Sequence, residues 1–265
     1  MMFPDTLCVV RGGGDLATGV IYRLHSAGFP VIALELSQPR VVRRMASVAQ
    51  ALFDGEVQIE GLHARRATAA DAYRTLGSVI PVIADPQADA LTGLRPAVVI
   101  DARMAKAPLD TTPQAARLVV GLGPGLIAGW LCHAVVETQR GHDLGRVIWK
   151  GPAQANTGEP EQVMGYRNER VLRAPGAGPL RAVARIGDLV QQGDTLASVN
   201  GTGVCAPFDG MLRGLLYDGI EVHAGEKIGD LDPRGQRRYC FSISDKSLAV
   251  GGGVLEAVMT WLQEA

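Results

Sequence analysis

Cysteine is scarce and scattered. Cys8, Cys132, Cys205 and Cys240 are the only four in 265 residues, and none stands in a C-x-x-C spacing. That leaves neither a disulfide framework nor a compact thiolate zinc site to read, and no metal site is expected. Long apolar runs are missing too. Stretches such as Val31 to Leu34 and Ala97 to Ile100 fall far short of the ~20 residues that a membrane-spanning helix needs, so no membrane partner is expected. Nor does charge of one sign dominate: 26 basic residues face 27 acidic ones, for a net charge of -1, which excludes a general attraction to nucleic acid or anionic lipid. The first ten residues lack the basic region and the small-residue cleavage site of a secretory signal, and the expected location is cytoplasmic.

What is present is an ordinary globular composition, 47% hydrophobic and 20% charged, with 33 glycines. So many glycines disfavour a helical bundle and point to turns and close backbone approaches. The length fits two modest domains. Up to about Val147, short β-branched stretches (Leu7 to Val10, Val31 to Leu36, Ile80 to Ala84, Ala97 to Ala102, Leu118 to Val120) are bounded by Gly, Pro or Asp. Helical spacing lies between them, over Leu16 to Ser26 and Val41 to Phe53. Strand and helix in alternation predict a Rossmann-like α/β domain with a parallel sheet, over residues 1–173.

After Arg173 the texture changes. Residues 174–179, Ala-Pro-Gly-Ala-Gly-Pro, read as a turn-rich connector, and residues 174–265 read as a second, β-rich domain ending in a helix. The terminal helix is expected to gather the apolar positions 254, 255, 258, 259 and 262 on one face. Inside this part runs a repeat: Gly187-x-x-Val190-x-x-Gly193-Asp194-x-Leu196 matches Gly219-x-x-Val222-x-x-Gly225-Glu226-x-Ile228 at an offset of 32. Between the copies, Ala206-Pro207-Phe-Asp209-Gly210 resembles the strand entry of biotinyl and lipoyl domains. Those domains carry a modifiable Lys at the hairpin tip. Here the tip, Val199 to Val204, has none, so the resemblance implies a lipoyl-like structural or docking module without a swinging arm.

The sharpest local motif is Arg11-Gly12-Gly13-Gly14-Asp15-Leu16-Ala17. This G-x-G-x-x-A run follows an apolar strand and opens a helix. Gly12 permits a tight turn, Gly14 lets backbone approach a pyrophosphate, and Ala17 allows close packing of helix on strand. Glu35, 21 positions after Gly14, ends the next strand and is placed to accept ribose hydroxyls. Asp15 opposes a phosphate unless it points away or caps the helix. The alternative is a βαβ unit that uses its glycines only to turn. A second glycine loop, with Gly123 and Gly125, follows another strand without the G-K-[ST] of a Walker loop, and is equally a ligand contact or a tight strand exit.

Glu137, Arg140 and His142 then bring carboxylate, guanidinium and imidazole together just after an apolar strand. They are candidates for proton transfer and anion clamping, with a salt-bridged structural loop as the alternative. Lys150, Asn156 and Thr157 are placed to line the same cleft. Arg40, Arg43 and Arg44 either meet a second phosphate or are solvated charges.

The segments Arg11 to Gly19, Glu35 to Pro39 with Val42 to Arg44, Asp101 to Lys106, Gly121 to Gly125, Glu137 to Arg146, Asn156 to Gly158, Asp232 to Arg234, Ile243 to Lys246 and Gly251 to Glu256 together resemble the YqeB family. That family is named as part of the selenium-dependent molybdenum hydroxylase system. The resemblance implies an accessory role in maturing a molybdenum hydroxylase, with that enzyme or its maturation machinery as partner, and it supplies no reaction. Joined to the glycine loop, it predicts a dinucleotide-type ligand such as molybdopterin dinucleotide, with the Arg140 to His142 loop at the pterin or metal end. An NAD(P)-dependent oxidoreductase and a non-catalytic docking scaffold are the alternatives.

Overall fold

The computed structural model describes residues 1–104 and 110–264; Lys106, in one of the segments above, lies outside the described residues. Two compact units emerge. The first comprises Met1–Pro39, Val48–Asn156 and Ile243–Ala265, and the second Arg40–Ser47 and Thr157–Ser242.

The first unit is mixed α/β. Its strands are β1 (Cys8–Arg11), β2 (Val31–Glu35), β3 (Glu56–Ile59), β4 (Leu62–Ala67), β5 (Ile80–Ala84), β6 (Val98–Asp101), β7 (Leu118–Leu122), β8 (Ile127–Ala128), β9 (Ala134–Val136), β10 (Val147–Ile148) and β11 (Gly151–Pro152). Nine of them form one sheet in the order β10-β9-β7-β6-β1-β2-β5-β4-β3. The seven from β9 to β4 run parallel, and β10 and β3 close the edges antiparallel. The central strands β1, β2 and β6 are apolar up to their last residues, Arg11, Glu35 and Asp101, because both faces are covered. Helices α1 (Asp15–Ser26) and α5 (Asp245–Glu264) share one face with Val10, Ala33, Ile100 and Val120, whereas α3 (Ala69–Thr75) and α4 (Ala90–Leu94) lie over Val9, Ile32 and Leu34. Each fully buried Val, Ile or Leu of α1 contributes roughly 1.5–3 kcal/mol. The strand sequence runs outward from β1 through β2, then restarts on the other side at β6. The C-terminal ends of β1 and β6 therefore flank a topological switch point, where sheets of this kind place their ligands.

Two expectations change here. The helix expected over 41–53 is broken into 3-10 turns at Arg44–Ala46 and Val48–Gln50 and a single turn α2 (Ala51–Asp54). Residues 40–47 belong to the second unit, where the Leu215 N–H donates to the Val42 carbonyl and Arg43 donates to the carbonyls of Tyr239 and Ser242. Helical spacing in the sequence yields to these distant bonds. The terminal helix, expected with the β-rich part, packs in the first unit against α1. Gly19 and Gly251 permit this, since a side chain at Gly19 would collide with the Ser247 carbonyl and one at Gly251 with the Gly19 carbonyl. The helix also begins six residues earlier than the sequence suggests, and its fully buried face includes Val250, Val254, Ala257 and Val258. No helix among the described residues is long and apolar enough to cross a membrane.

The second unit holds two four-stranded sheets, both antiparallel. Its strands are β12 (Val171–Arg173), β13 (Gly178–Ala182), β14 (Leu189–Val190), β15 (Thr195–Val199), β16 (Thr202–Cys205), β17 (Gly210–Leu215), β18 (Glu221–Val222) and β19 (Lys227–Asp232). The orders are β12-β19-β17-β14 and β16-β15-β13-β18. The repeat explains the pairing: β13, β14 and β15 recur 32 residues later as β17, β18 and β19, and each copy lends its short strand to the other, β14 to β17 and β18 to β13. The repeat's acids fold their own turns, Asp194 accepting from the Gln191 N–H and Glu226 from the His223 N–H. Gly193 and Gly225 both take positive φ. The Gly193 N–H donates to the Ala206 carbonyl and the Gly225 N–H to the Ala174 carbonyl, again 32 residues apart. Residues 174–179 are thus the first copy of the Ala-Pro strand entry rather than a connector, and the second unit starts upstream at Thr157.

Candidate functional site

The C-terminal edge of the parallel strands gathers most of the predicted residues. After β1 the chain turns at Gly12, whose φ of +115° and whose N–H bond to the Leu34 carbonyl fix the bend. A side chain at Gly12 would sit 2.9 Å from the Ala102 carbonyl, and one at Gly13 would sit 3.1 Å from the Ala49 methyl. Gly12 is required by the protein's own packing, and Gly13 has little room for a side chain. Gly14 differs: it is the N-cap of α1 in an extended conformation (φ -72°, ψ -170°) open to any residue, and no side chain caps the helix. Asp15 does not cap either, since its carboxylate accepts from the Ser247 hydroxyl on α5 at 2.9 Å. Ala17 is buried against the strands, as expected of it.

Glu35, half-buried at the end of β2, reaches into this loop. Its Oε2 accepts the Gly13 N–H at 2.7 Å and its Oε1 accepts the Leu36 N–H at 2.7 Å. Burial pushes its carboxyl above the ordinary range, and the two N–H donors hold it back in part. The carboxylate is therefore fixed beside the glycine turn with lone pairs left for hydroxyl donors.

The loop after β9 opens at the same edge, because β1, β6, β7 and β9 run parallel. Its polar groups are largely engaged. Glu137 is buried and accepts the N–H groups of Gln139 (2.6 Å) and Gln154 (2.8 Å). Arg140 makes a two-toothed pair with Asp245 at the start of α5, at 2.8 and 2.7 Å. His142 is exposed, as are Lys150, Asn156 and Thr157. Gly123, at positive φ, donates its N–H to the Val136 carbonyl, and a side chain on it would strike the Thr138 hydroxyl; Gly125 also takes positive φ. These glycines are accounted for by tight turning. Arg40, Arg43 and Arg44 are held inside the second unit, Arg40 by Glu226 and Arg44 by the Leu215 carbonyl, so they do not serve a phosphate as free cations.

A further group of charged residues, to which no motif gives a role, stands at the switch point. Asp101, the last residue of β6, is buried and accepts from Arg103 through both oxygens, at 3.1 and 2.7 Å, and from the Thr111 hydroxyl. Arg11, the last residue of β1, is also buried and binds both oxygens of Asp110 at 3.1 and 2.9 Å, while Arg103 reaches Asp110 at 2.7 Å. The signal for this group was a charged residue ending each of two wholly buried strands. Among the described residues, no group of three or more His, Cys, Asp or Glu is arranged to hold a metal ion.

No family model matches the chain. The uncharacterized protein YqeB of Escherichia coli (strain K12) is 50% identical to it over 260 residues, 97% of this chain and 48% of that protein. This supports the resemblance to the YqeB family, and the chain spans about half the length of the curated relative it matches. Among solved structures, an aspartoacylase family protein from Mesorhizobium loti aligns at 9% identity and a TM-score of 0.27, covering 86% of this chain and 84% of the other. A succinylglutamate desuccinylase/aspartoacylase from Rhodobacter sphaeroides aligns at 12% and 0.28, covering 86% and 85%. Scores this low carry no assignment of fold or activity.

Proposed function

We propose that the chain binds a dinucleotide-type cofactor at the C-terminal edge of the large sheet and serves as an accessory protein in maturing a molybdenum hydroxylase. We read the first unit as Rossmann-like and the second as a lipoyl-like module that docks to the partner. The observation that carries the binding reading is Glu35, an acid anchored by the Gly13 N–H beside a helix N-terminus with no side-chain cap. In this reading the α1 terminus and the Gly14 backbone take phosphate oxygens, through backbone N–H groups and the helix dipole. Glu35 takes the ribose hydroxyls, and its negative charge disfavours a 2′-phosphate, so NAD is preferred over NADP among nicotinamide cofactors. Asp15 favours this arrangement because its bond to Ser247 holds its carboxylate with α5. The hydroxylase role rests on the family resemblance, and the second unit's hairpin tip, Thr202 following Asn200-Gly201, offers no Lys for a carrier function.

Native mass spectrometry of the chain purified without added cofactor, followed by titration with molybdopterin dinucleotide, NAD and ATP, tests the reading. A retained or titrated dinucleotide is the expected result. Gly14→Val is expected to abolish that binding while circular dichroism and melting stay near the wild-type values. A folded Gly14→Val chain with unchanged affinity would sink the assignment.

A further inference from the structure

Arg11 has an unusual counter-ion. Its side chain is only 6% exposed, yet the carboxylate that neutralises it, Asp110, is 54% exposed. A buried guanidinium must be paired, because leaving it uncompensated in the protein interior is costly. Buried pairs ordinarily bury both partners, as Arg170 and Asp230 do here, at 7% and 9%. Arg103, by contrast, has a buried partner of its own in Asp101 and touches Asp110 as well. Two guanidiniums thus converge on one outward-facing carboxylate, with three N–H to oxygen contacts of 3.1, 2.9 and 2.7 Å. The hydrogen bonds from Arg11 and Arg103 hold the Asp110 carboxyl down at about 2, so it is ionised throughout the working pH range.

We propose that Arg11 and Arg103 form a binding site for a phosphate group at the switch point between β1 and β6, and that the Asp110 side chain occupies it as an internal stand-in until a ligand displaces it. With Asp110 in position the four groups Arg11, Arg103, Asp101 and Asp110 sum to zero, whereas with Asp110 swung out to solvent they sum to +1 and can receive an anion. Guanidinium forks match phosphate as well as carboxylate, and a phosphate's three terminal oxygens accept three N–H donors better than two carboxylate oxygens do. An exposed Asp can leave by a rotamer change at little cost, whereas Asp101, fastened by Arg103 and Thr111, cannot. The β1 and β6 ends are also where open parallel sheets meet their ligands. The site stands independently of the dinucleotide reading, because it takes phosphate through side chains and not through the Gly14 backbone.

The test uses inorganic phosphate and the full chain. Isothermal titration at fixed ionic strength, with chloride and formate as controls, is expected to show Asp110→Asn binding phosphate at least tenfold more tightly than wild type, and more tightly than it binds formate. The charge-balanced double variant Arg11→Met/Asp110→Asn, which leaves no unpaired buried charge, is expected to lose that binding. Should Asp110→Asn not fold, the same contrast is read from the melting temperature, raised by phosphate over chloride in wild type and not in the double variant. Equal phosphate affinity in wild type and Asp110→Asn, or phosphate binding retained in the double variant, would overturn the proposal. Phosphate binding without any dinucleotide binding would leave this site standing and remove the other.

Discussion

Two loops leave the same edge of one parallel sheet, and they treat their polar groups in opposite ways. The loop after β9 is dense in side chains of catalytic type, yet these are largely turned to internal use: Glu137 on two backbone N–H groups, Arg140 on Asp245, and Arg146 on Asp143. The loop after β1 is nearly bare of such side chains, yet it leaves a helix terminus with no side-chain cap and brings in one anchored carboxylate from the next strand. Chemical variety along the sequence marks where a loop must hold itself together. In the plainer loop Gly12 and Gly13 are buried and bonded, and the helix terminus is left to the partly exposed Gly14.

The largest expected effect comes from breaking the self-holding loop. Glu137→Ala removes a carboxylate that is 1% exposed and accepts two backbone N–H groups, so both donors lose a charged partner. Hydrogen bonds to charged groups are worth about 1.5–3 kcal/mol each, and the variant is expected to lose about 3 kcal/mol in urea unfolding. A loss below about 1 kcal/mol would show that the loop does not depend on Glu137 for its form.

The next test falls on Glu35 and is smaller. Glu35→Gln presents an amide N–H₂ to one of two N–H donors, so one bond becomes a repulsion and the ribose acceptor is weakened. Dinucleotide affinity is expected to fall roughly tenfold, or about 1.4 kcal/mol. Its pH dependence has a definite sign. Because burial raises the folded carboxyl above its ordinary value of 4.5, the folded chain keeps this proton at pH values where the unfolded chain has lost it. Stability from this group is therefore fully present below about 4.5 and falls as pH rises through the folded value. The margin of wild type over Glu35→Gln should shrink across that interval in denaturation series; a margin that widens would reverse the assignment.

How much of this was visible in the sequence depended on what fixes each element. Strands β1, β2, β5 and β6 were legible to within about one residue at either end, because a strand buried on both faces must be apolar and end at a turn. The β3–β4 hairpin was missed: β3 is mostly exposed and alternates weakly, and its turn at Glu60-Gly61 is one residue pair. The Val41 to Phe53 helix failed because spacing cannot foresee the bond that Arg43 makes 196 residues away, nor the one from Leu215 to Val42. At the site, Glu35 and the glycine turn were legible as a strand-turn-helix signature. The Arg11–Asp110 pair was not, since it joins positions 99 apart and owes its meaning to unequal burial.

The smallest effect is expected where the sequence looked busiest. Arg140 pairs with Asp245 through two good contacts, but Asp245 is 75% exposed and Arg140 is 32% exposed, so water screens the pair and holding both side chains costs entropy. Arg140→Ala is therefore expected to cost less than about 1 kcal/mol. His142 stands in solvent on the same turn, and His142→Ala should leave the melting curve unchanged. Neither variant should alter dinucleotide affinity if phosphate and ribose are held by the loop after β1 and by Glu35. Molybdenum hydroxylase activity in cells carrying each variant then separates two roles for this loop. Reduced activity from a folded variant with normal dinucleotide affinity would mean that the loop acts after binding, on the far end of the ligand or on the partner. Full activity from both would make it a clasp between the end of β9 and the start of α5, and would leave the loop after β1 as the working end of the sheet.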